Sequence, residues 1–252
     1  MNCVIAQLKN IHYFYNRYKY VVVYNTDPTF VNQFFLNSKF TDLSKSLGEL
    51  EKVIVINPVI FFKQRFHGTV TKGIMENLKY VLDMDYKFRY FVVLSSKNMF
   101  NKCIPPATID ELINKNEKEY SAVAPVFKDK EFIWHWGRFY KYSHLFIEHC
   151  RNNNWMLNPA DHEGLVFPYD TCVLIRQFWK DHKDIYDNAC SALTCVEEYI
   201  PFTLAYNINK GRGACIGSSA YGLKSGMLSK MYNRDFDDPI MIELGNTYNY
   251  SI

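Results

Sequence analysis

The sequence predicts an α/β fold: a single domain over about residues 1–252, built on a mostly parallel, twisted sheet flanked by helices. Three observations carry this. Short apolar strands alternate with amphipathic helices through the amino-terminal part of the chain, the pattern of a parallel sheet wound with crossover helices. Tyr90–Leu94 (YFVVL) is a continuous apolar run, as expected of a strand covered on both faces. At 252 residues the chain is long enough for one large core and short for two full domains.

Taken in order, Tyr18–Tyr24 (YKYVVVY) reads as the first strand. Asn25-Thr26-Asp27-Pro28 closes it with a turn that also starts a helix over Thr29–Asn37. Lys52–Ile56 (KVIVI) is a second strand, stopped by Asn57-Pro58. Val70, Ile74, Leu78, Val81 and Leu82 then recur at helical spacing, with Thr71, Lys72, Glu76 and Lys79 assigned to the other face. The strand Tyr90–Leu94 follows, and Ser95-Ser96-Lys97-Asn98 falls just past its carboxyl end, where open α/β sheets place ligands. After the loop at Ile104-Pro105-Pro106, Thr108–Asn114 reads as a helix with Thr108 near its cap and Glu111 three residues on. Tyr120–Phe127 and Phe132–Tyr140 are strand-like around a turn at Lys128-Asp129-Lys130. Leu145–Arg151, Asp170–His182 and Thr194–Ala205 are predicted helices.

Composition narrows the function classes. A net charge of +3 and a pI near 8.3 are only mildly basic, and no Lys/Arg block of the kind that grips a duplex occurs, so no nucleic-acid partner is expected. Aromatic residues make up 17% of the chain, which implies a dense aromatic core with a minority left for stacking surfaces. Seven cysteines without a CxxC pair argue against a structural zinc site. With no secretory apolar stretch at the amino terminus and no run of eighteen apolar residues, a soluble protein with reduced thiols, working in the cytoplasm, is expected.

A Walker loop, a GxGxxG fingerprint, a GxSxG elbow and an HExxH pair are all absent; Gly211-Arg212-Gly213 is the nearest glycine cluster and lacks the strand-to-helix setting. Asp83-Met84-Asp85 spells a pair of carboxylates able to hold a divalent ion against a diphosphate. It lies before the strand, at a helix end, where solvated carboxylates are the simpler account. Trp134-His135-Trp136-Gly137-Arg138 offers two tryptophans for sugar stacking, although on an alternating strand both share one face and suit a core equally.

Two pieces of the chain carry a resemblance. One is Phe61–Phe100, a helix of small and apolar residues feeding a Tyr-Phe-x-x-Leu-Ser strand. The other is Val196-Glu197-Glu198-Tyr199-Ile200-Pro201-Phe202-Thr203-Leu204, a Glu-Glu-Tyr-x-x-x-Thr element. Together they resemble the core-2/I-branching glycosyltransferase family, which joins β-1,6-N-acetylglucosaminyltransferases with peptide O-xylosyltransferases. Gly164–Leu174 is similar to that family's acceptor-side strand and helix start, and Tyr232-Asn233-Arg234-Asp235-Phe236 to a basic element that meets the diphosphate. The resemblance implies a GT-A fold, with about residues 1–103 binding the nucleotide sugar and about 104–252 binding acceptor and carrying catalysis. It implies an inverting enzyme that takes a UDP-sugar of the N-acetylglucosamine or xylose class, often without a metal. Glu198 falls on the glutamate that deprotonates the acceptor hydroxyl. One departure is Asp235, which stands at the family's lysine position and leaves Arg234 as the cation there.

An inverting transfer needs one base beside the acceptor hydroxyl and a positive charge for the departing diphosphate. Glu198 is the expected base; a carboxylate at a helix start also suits the helix dipole, and Glu197 is its neighbour in register. Arg234 and Lys224, with Lys230 and Arg212 nearby in sequence, are the cations expected in place of a metal, which is possible but not favoured. Asn25 and Asp27 fall where GT-A folds meet uracil and ribose, or form an ordinary Asx turn. His67 and Gly68 precede a helix whose amino-terminal N–H groups suit a phosphate, or make a structural turn. Ser96, Lys97 and Asn98 occupy the donor end of the strand. Trp134, Trp136, His162 and Glu163 are expected on the acceptor side. The partners expected are therefore a nucleotide-sugar donor and a glycan or glycoconjugate acceptor, with no membrane span. The rival readings are a metal-dependent GT-A enzyme using Asp83 and Asp85, and a non-catalytic glycan-binding protein on the same fold.

Overall fold

A computed structural model describes residues 2–25, 54–57, 68–94, 100, 102–122, 144–160, 162–192 and 196–216. These residues form a mixed α/β structure, mostly helical, with a small antiparallel sheet. The chain divides into two compact units, one formed by residues 1–56, 94–104 and 218–252, the other by 57–93 and 105–217.

In the first unit, helix α1 (Asn2–Tyr15) is followed by strand β1 (Val22–Asn25), which pairs with β2 (Ile54–Asn57). The sequence reading did not anticipate α1, although Leu8, Ile11 and Tyr15 recur at helical spacing and Leu8 and Ile11 are buried. Its buried polar residues are satisfied. Asn10 donates to the Phe100 carbonyl at 2.8 Å and accepts the Phe100 N–H at 2.6 Å, so one amide side chain clamps a peptide in both directions. Tyr15 accepts the Ile104 N–H at 3.1 Å and stacks edge-on against Phe100 at 4.8 Å. Burial pushes the Tyr15 phenol up to about 12, the direction desolvation gives an acid. The predicted first strand is shorter than expected, and the predicted helix over Thr29–Asn37 lies outside the described residues.

The second unit begins with α2 (Gly68–Asp83) and β3 (Tyr90–Val92). Next come α3 (Pro106–Ala122), α4 (His144–Asn152), β4 (Leu165–Pro168), α5 (Tyr169–Asp181) and α6 (Lys183–Cys190). A 3-10 turn (Val196–Glu198), α7 (Ile200–Ile208) and β5 (Ala214–Cys215) complete it. The strand order is β3-β4-β5, antiparallel throughout, with Phe91 opposite Phe167 and Val166 opposite Ala214. The mostly parallel sheet expected from the sequence is therefore not what this sheet displays. A continuous apolar run reports burial on both faces, not strand direction. β4 meets that condition by lying between two strands and against α5, with Leu165, Val166 and Phe167 fully buried.

α2 packs against α5, α6 and the 3-10 turn. Ile74, Leu78, Val81 and Leu82 are buried as their spacing predicts. Thr71, assigned to the polar face by pattern, is instead fully buried, because the helix is covered on more than one side. α7 is buried nearly all round, with Ile200, Leu204 and Ala205 inaccessible. With Phe146, Phe167, Ile175 and Tyr199 these residues form the core, and burying each large apolar side chain contributes roughly 1.5–3 kcal/mol.

Two boundaries differ from expectation for local reasons. Thr194–Ala205 is not one helix. Pro201 has no N–H to donate and is tolerated only in a first turn, so α7 starts at Ile200 and Glu198 sits in the 3-10 turn before it. The predicted strand at Tyr120 is helical as far as Ala122. Its aromatic and small residues read as β, but Tyr120 packs edge-on against Tyr206 at 5.2 Å from the end of α3.

Between α5 and α6, His182 packs against Phe178 at 4.5 Å and against His149 of α4 at 4.8 Å; His149 also meets Trp155 at 4.8 Å. Burial lowers the His149 pKa and the neighbouring His182 lowers it further, opposed by the Asp184 carboxylate. With the folded pKa below the unfolded one, near 6.5, the stabilisation is present above that unfolded value and is lost as pH falls from there through the lower folded pKa. Urea midpoints measured across this acid range are expected to drop in the natural protein and to drop less in His149→Gln.

Candidate functional site

Residues 156–160, outside any helix or strand, are hydrogen-bonded to α7 and the 3-10 turn. The Met156 N–H donates to Asn207 Oδ1 at 2.9 Å, and Asn207 Nδ2 returns a bond to the Met156 carbonyl at 2.7 Å. The Asn158 N–H donates to Thr203 Oγ1 at 2.9 Å, and the Thr203 hydroxyl donates back to the Asn158 carbonyl at 3.2 Å. The Ala160 N–H then reaches the Glu198 carbonyl at 2.8 Å. Two residues of extended chain rise about 6.6 Å and four residues of helix about 6.0 Å, so alternate peptides match one helical face. Buried Thr203 and Asn207 thus replace a neighbouring strand for this segment. Thr203→Val keeps the volume but removes both bonds to Asn158, and should lower stability by about 1 kcal/mol in urea unfolding, with Thr203→Ser restoring most of it.

Two residues beyond Ala160 comes the turn His162-Glu163-Gly164. Gly164 has φ 85°, a left-handed conformation that favours glycine. Its N–H donates to the Val93 carbonyl and its carbonyl accepts the Ile216 N–H, each at 2.8 Å. The turn is therefore pinned at the amino end of β4 by the chain continuing from β3 and from β5. His162 Nδ1 lies 3.4 Å from Glu163 Oε2, within ion-pair range though beyond a formed hydrogen bond; the two side chains are 16% and 19% exposed. Glu198 is half-buried, while Glu197 beside it is only 3% exposed. A half-buried carboxylate such as that of Glu198 is a group able to accept a proton from a bound hydroxyl.

The structure places the Glu198 carbonyl on the Ala160 N–H, two residues before His162, and sets His162 beside Glu163. Gly68 has a different role from the phosphate contact expected of it. Its N–H donates to the Ala192 carbonyl at 3.0 Å, and a Cβ there would lie 2.7 Å from the carbonyl oxygens of Ala189 and Ala192. Close packing of α2 on the end of α6 accounts for the glycine, and its N–H is already bonded. Arg212 is likewise committed: Nε lies 3.2 Å from Asp170 and Nη1 3.4 Å from Glu117. Asn25 ends β1 in the first unit. Asp27, His67, Ser96, Lys97, Asn98, Trp134, Trp136, Lys224 and Arg234 lie outside the described residues.

Asp83 and Asp85 are matched with cations. Asp83 meets Lys79 at 2.6 Å and Arg176 at 3.1 Å, and Asp85 pairs with Lys87. A divalent ion held there would have to displace these partners. Among the described residues no group of three His, Cys, Asp or Glu side chains is placed to hold a metal. Sequence reasoning missed Asn158 and Asn207; a buried amide on an otherwise apolar helix such as α7 was the available signal for Asn207.

No protein-family model, no curated protein and no solved structure matches this chain.

Proposed function

We propose that the chain is an inverting glycosyltransferase of GT-A type, moving a sugar of the N-acetylglucosamine or xylose class from a UDP-sugar to a glycan hydroxyl in the cytoplasm. The observation that supports it is the backbone bond from Ala160 to Glu198, which ties the main chain of the expected base to a residue two before His162. In the proposed reaction Glu198 takes the proton of the acceptor hydroxyl and that oxygen attacks the anomeric carbon. The bond to the diphosphate breaks on the opposite face, and its electron pair leaves with UDP. A single in-line displacement inverts the centre, so one carboxylate suffices. Charge on the departing diphosphate is met by cationic side chains, for which Arg234 and Lys224 are the sequence candidates. Among the described residues no helix is long and apolar enough to cross a membrane.

The test is the melting temperature of the whole chain with UDP, UDP-N-acetylglucosamine and UDP-xylose, each with manganese and with EDTA. A ligand at about 100 times its Kd stabilises the native state by about 2.7 kcal/mol. A rise that survives EDTA is the expected result. A rise that requires manganese selects the metal-dependent alternative. No response to any nucleotide overturns the proposal, and a response to free glycans alone selects the binding protein.

A further inference from the structure

His162 Nδ1 is fully buried, and the carboxylate oxygen of Glu163 lies 3.4 Å from it. The His162 side chain as a whole is 16% exposed, and none of that exposure is at Nδ1. A lone pair on Nδ1 would face the negative oxygen of Glu163 and be repelled, whereas an N–H there is attracted. In a neutral imidazole a hydrogen on Nδ1 leaves the lone pair on Nε2. The backbone holding the pair has little freedom, since Ala160 is tied to Glu198 and Gly164 is tied to Val93 and Ile216.

We propose that Glu163 is a positioning residue that holds His162 as the Nδ1–H tautomer, so that Nε2 serves the site as a hydrogen-bond acceptor. This narrows the chemistry of what His162 meets. An acceptor nitrogen receives an O–H or N–H donor, such as a sugar hydroxyl, and repels the oxygens of a phosphate or carboxylate. His162 therefore belongs to the acceptor side and not to the diphosphate. Glu163, expected from sequence to bind an acceptor hydroxyl itself, acts instead through the imidazole. Only the naming of a sugar hydroxyl as the donor rests on the transferase proposal.

Long-range proton–nitrogen NMR of the whole chain labelled in histidine tests this at pH about 8, where an ordinary histidine is neutral. The His162 signals are assigned by their loss in His162→Gln. The expected result is Nδ1–H in the natural protein and a shift toward Nε2–H in Glu163→Ala, with Glu163→Asp keeping the natural form. Adding inorganic phosphate or UDP leaves the Nε2 lone pair in place. An Nε2–H tautomer in the natural protein, an unchanged tautomer in Glu163→Ala, or conversion to imidazolium on adding phosphate or UDP would each overturn the proposal. The natural-protein spectrum decides even if Glu163→Ala does not fold. An Nδ1–H imidazole in a protein that ignores every nucleotide would keep this inference and discard the transferase. An Nε2–H imidazole in a protein stabilised by UDP would do the reverse.

Discussion

Gly68→Ala lowers the melting temperature by about 10 °C. The new methyl carbon would stand 2.7 Å from two carbonyl oxygens and 2.8 Å from the Ala192 nitrogen. All three are backbone atoms, so no side chain can rotate out of the way. The Gly68 N–H is bonded to one of the crowded carbonyls, which ties the start of α2 to the end of α6 and resists a shift of either. Overpacking costs typically about 1–3 kcal/mol, and this geometry belongs at the upper end. Each kcal/mol moves the midpoint of a chain of this size by about 2–4 °C. Gly213→Ala is the control, since its new carbon would meet Phe202 at 3.5 Å, an ordinary contact. Thermal unfolding of both variants checks the expectation, and equal, small losses would show that α2 and α6 are not packed as described.

What was legible in the sequence followed from how many physical causes converge on one pattern. α2 was readable because Ile74, Leu78, Val81 and Leu82 place one wide apolar stripe on a helix that needs burial there. Strand direction was not readable, because apolar residues such as Leu165, Val166 and Phe167 are buried whether their neighbours run parallel or antiparallel. The run at Tyr90–Val92, expected to be covered on both faces, is only partly buried at the sheet edge. α7 was only half readable. Its apolar content predicts a helix, but Pro201 fixes where that helix can begin, and this moves Glu198 out of it. At the site, Glu198, His162 and Glu163 were named from residue type and resemblance. The tie of residues 156–160 to α7 and to Glu198 runs through Thr203, Asn207 and a backbone bond, a long-range pairing that local patterns do not encode. Gly68 shows the opposite error: a glycine before a helix suits a phosphate or a close approach, and only the position of Ala192 distinguishes the two.

Glu198→Gln is expected to reduce sugar transfer by about 10²–10⁴-fold, the usual contribution of a positioned general base. The substitution preserves size and shape but removes the ability to take a proton at neutral pH. The Glu198 carbonyl accepts the Ala160 N–H, and a change of side chain from carboxylate to amide leaves that backbone bond in place. The variant should therefore fold, and it should respond to UDP in the melting assay as the natural protein does, since proton abstraction is not needed to bind the nucleotide. Loss of turnover with UDP binding intact is the result that identifies a base. Glu197→Gln supplies the contrast: Glu197 is 3% exposed, so its replacement should register in stability before it registers in turnover. Release of UDP from UDP-N-acetylglucosamine and UDP-xylose, followed beside the melting curves, separates the two. Full turnover in Glu198→Gln with loss in Glu197→Gln would shift the base by one residue. Full turnover in both would remove this turn from the chemistry and leave it as the brace that holds residues 156–164 in place.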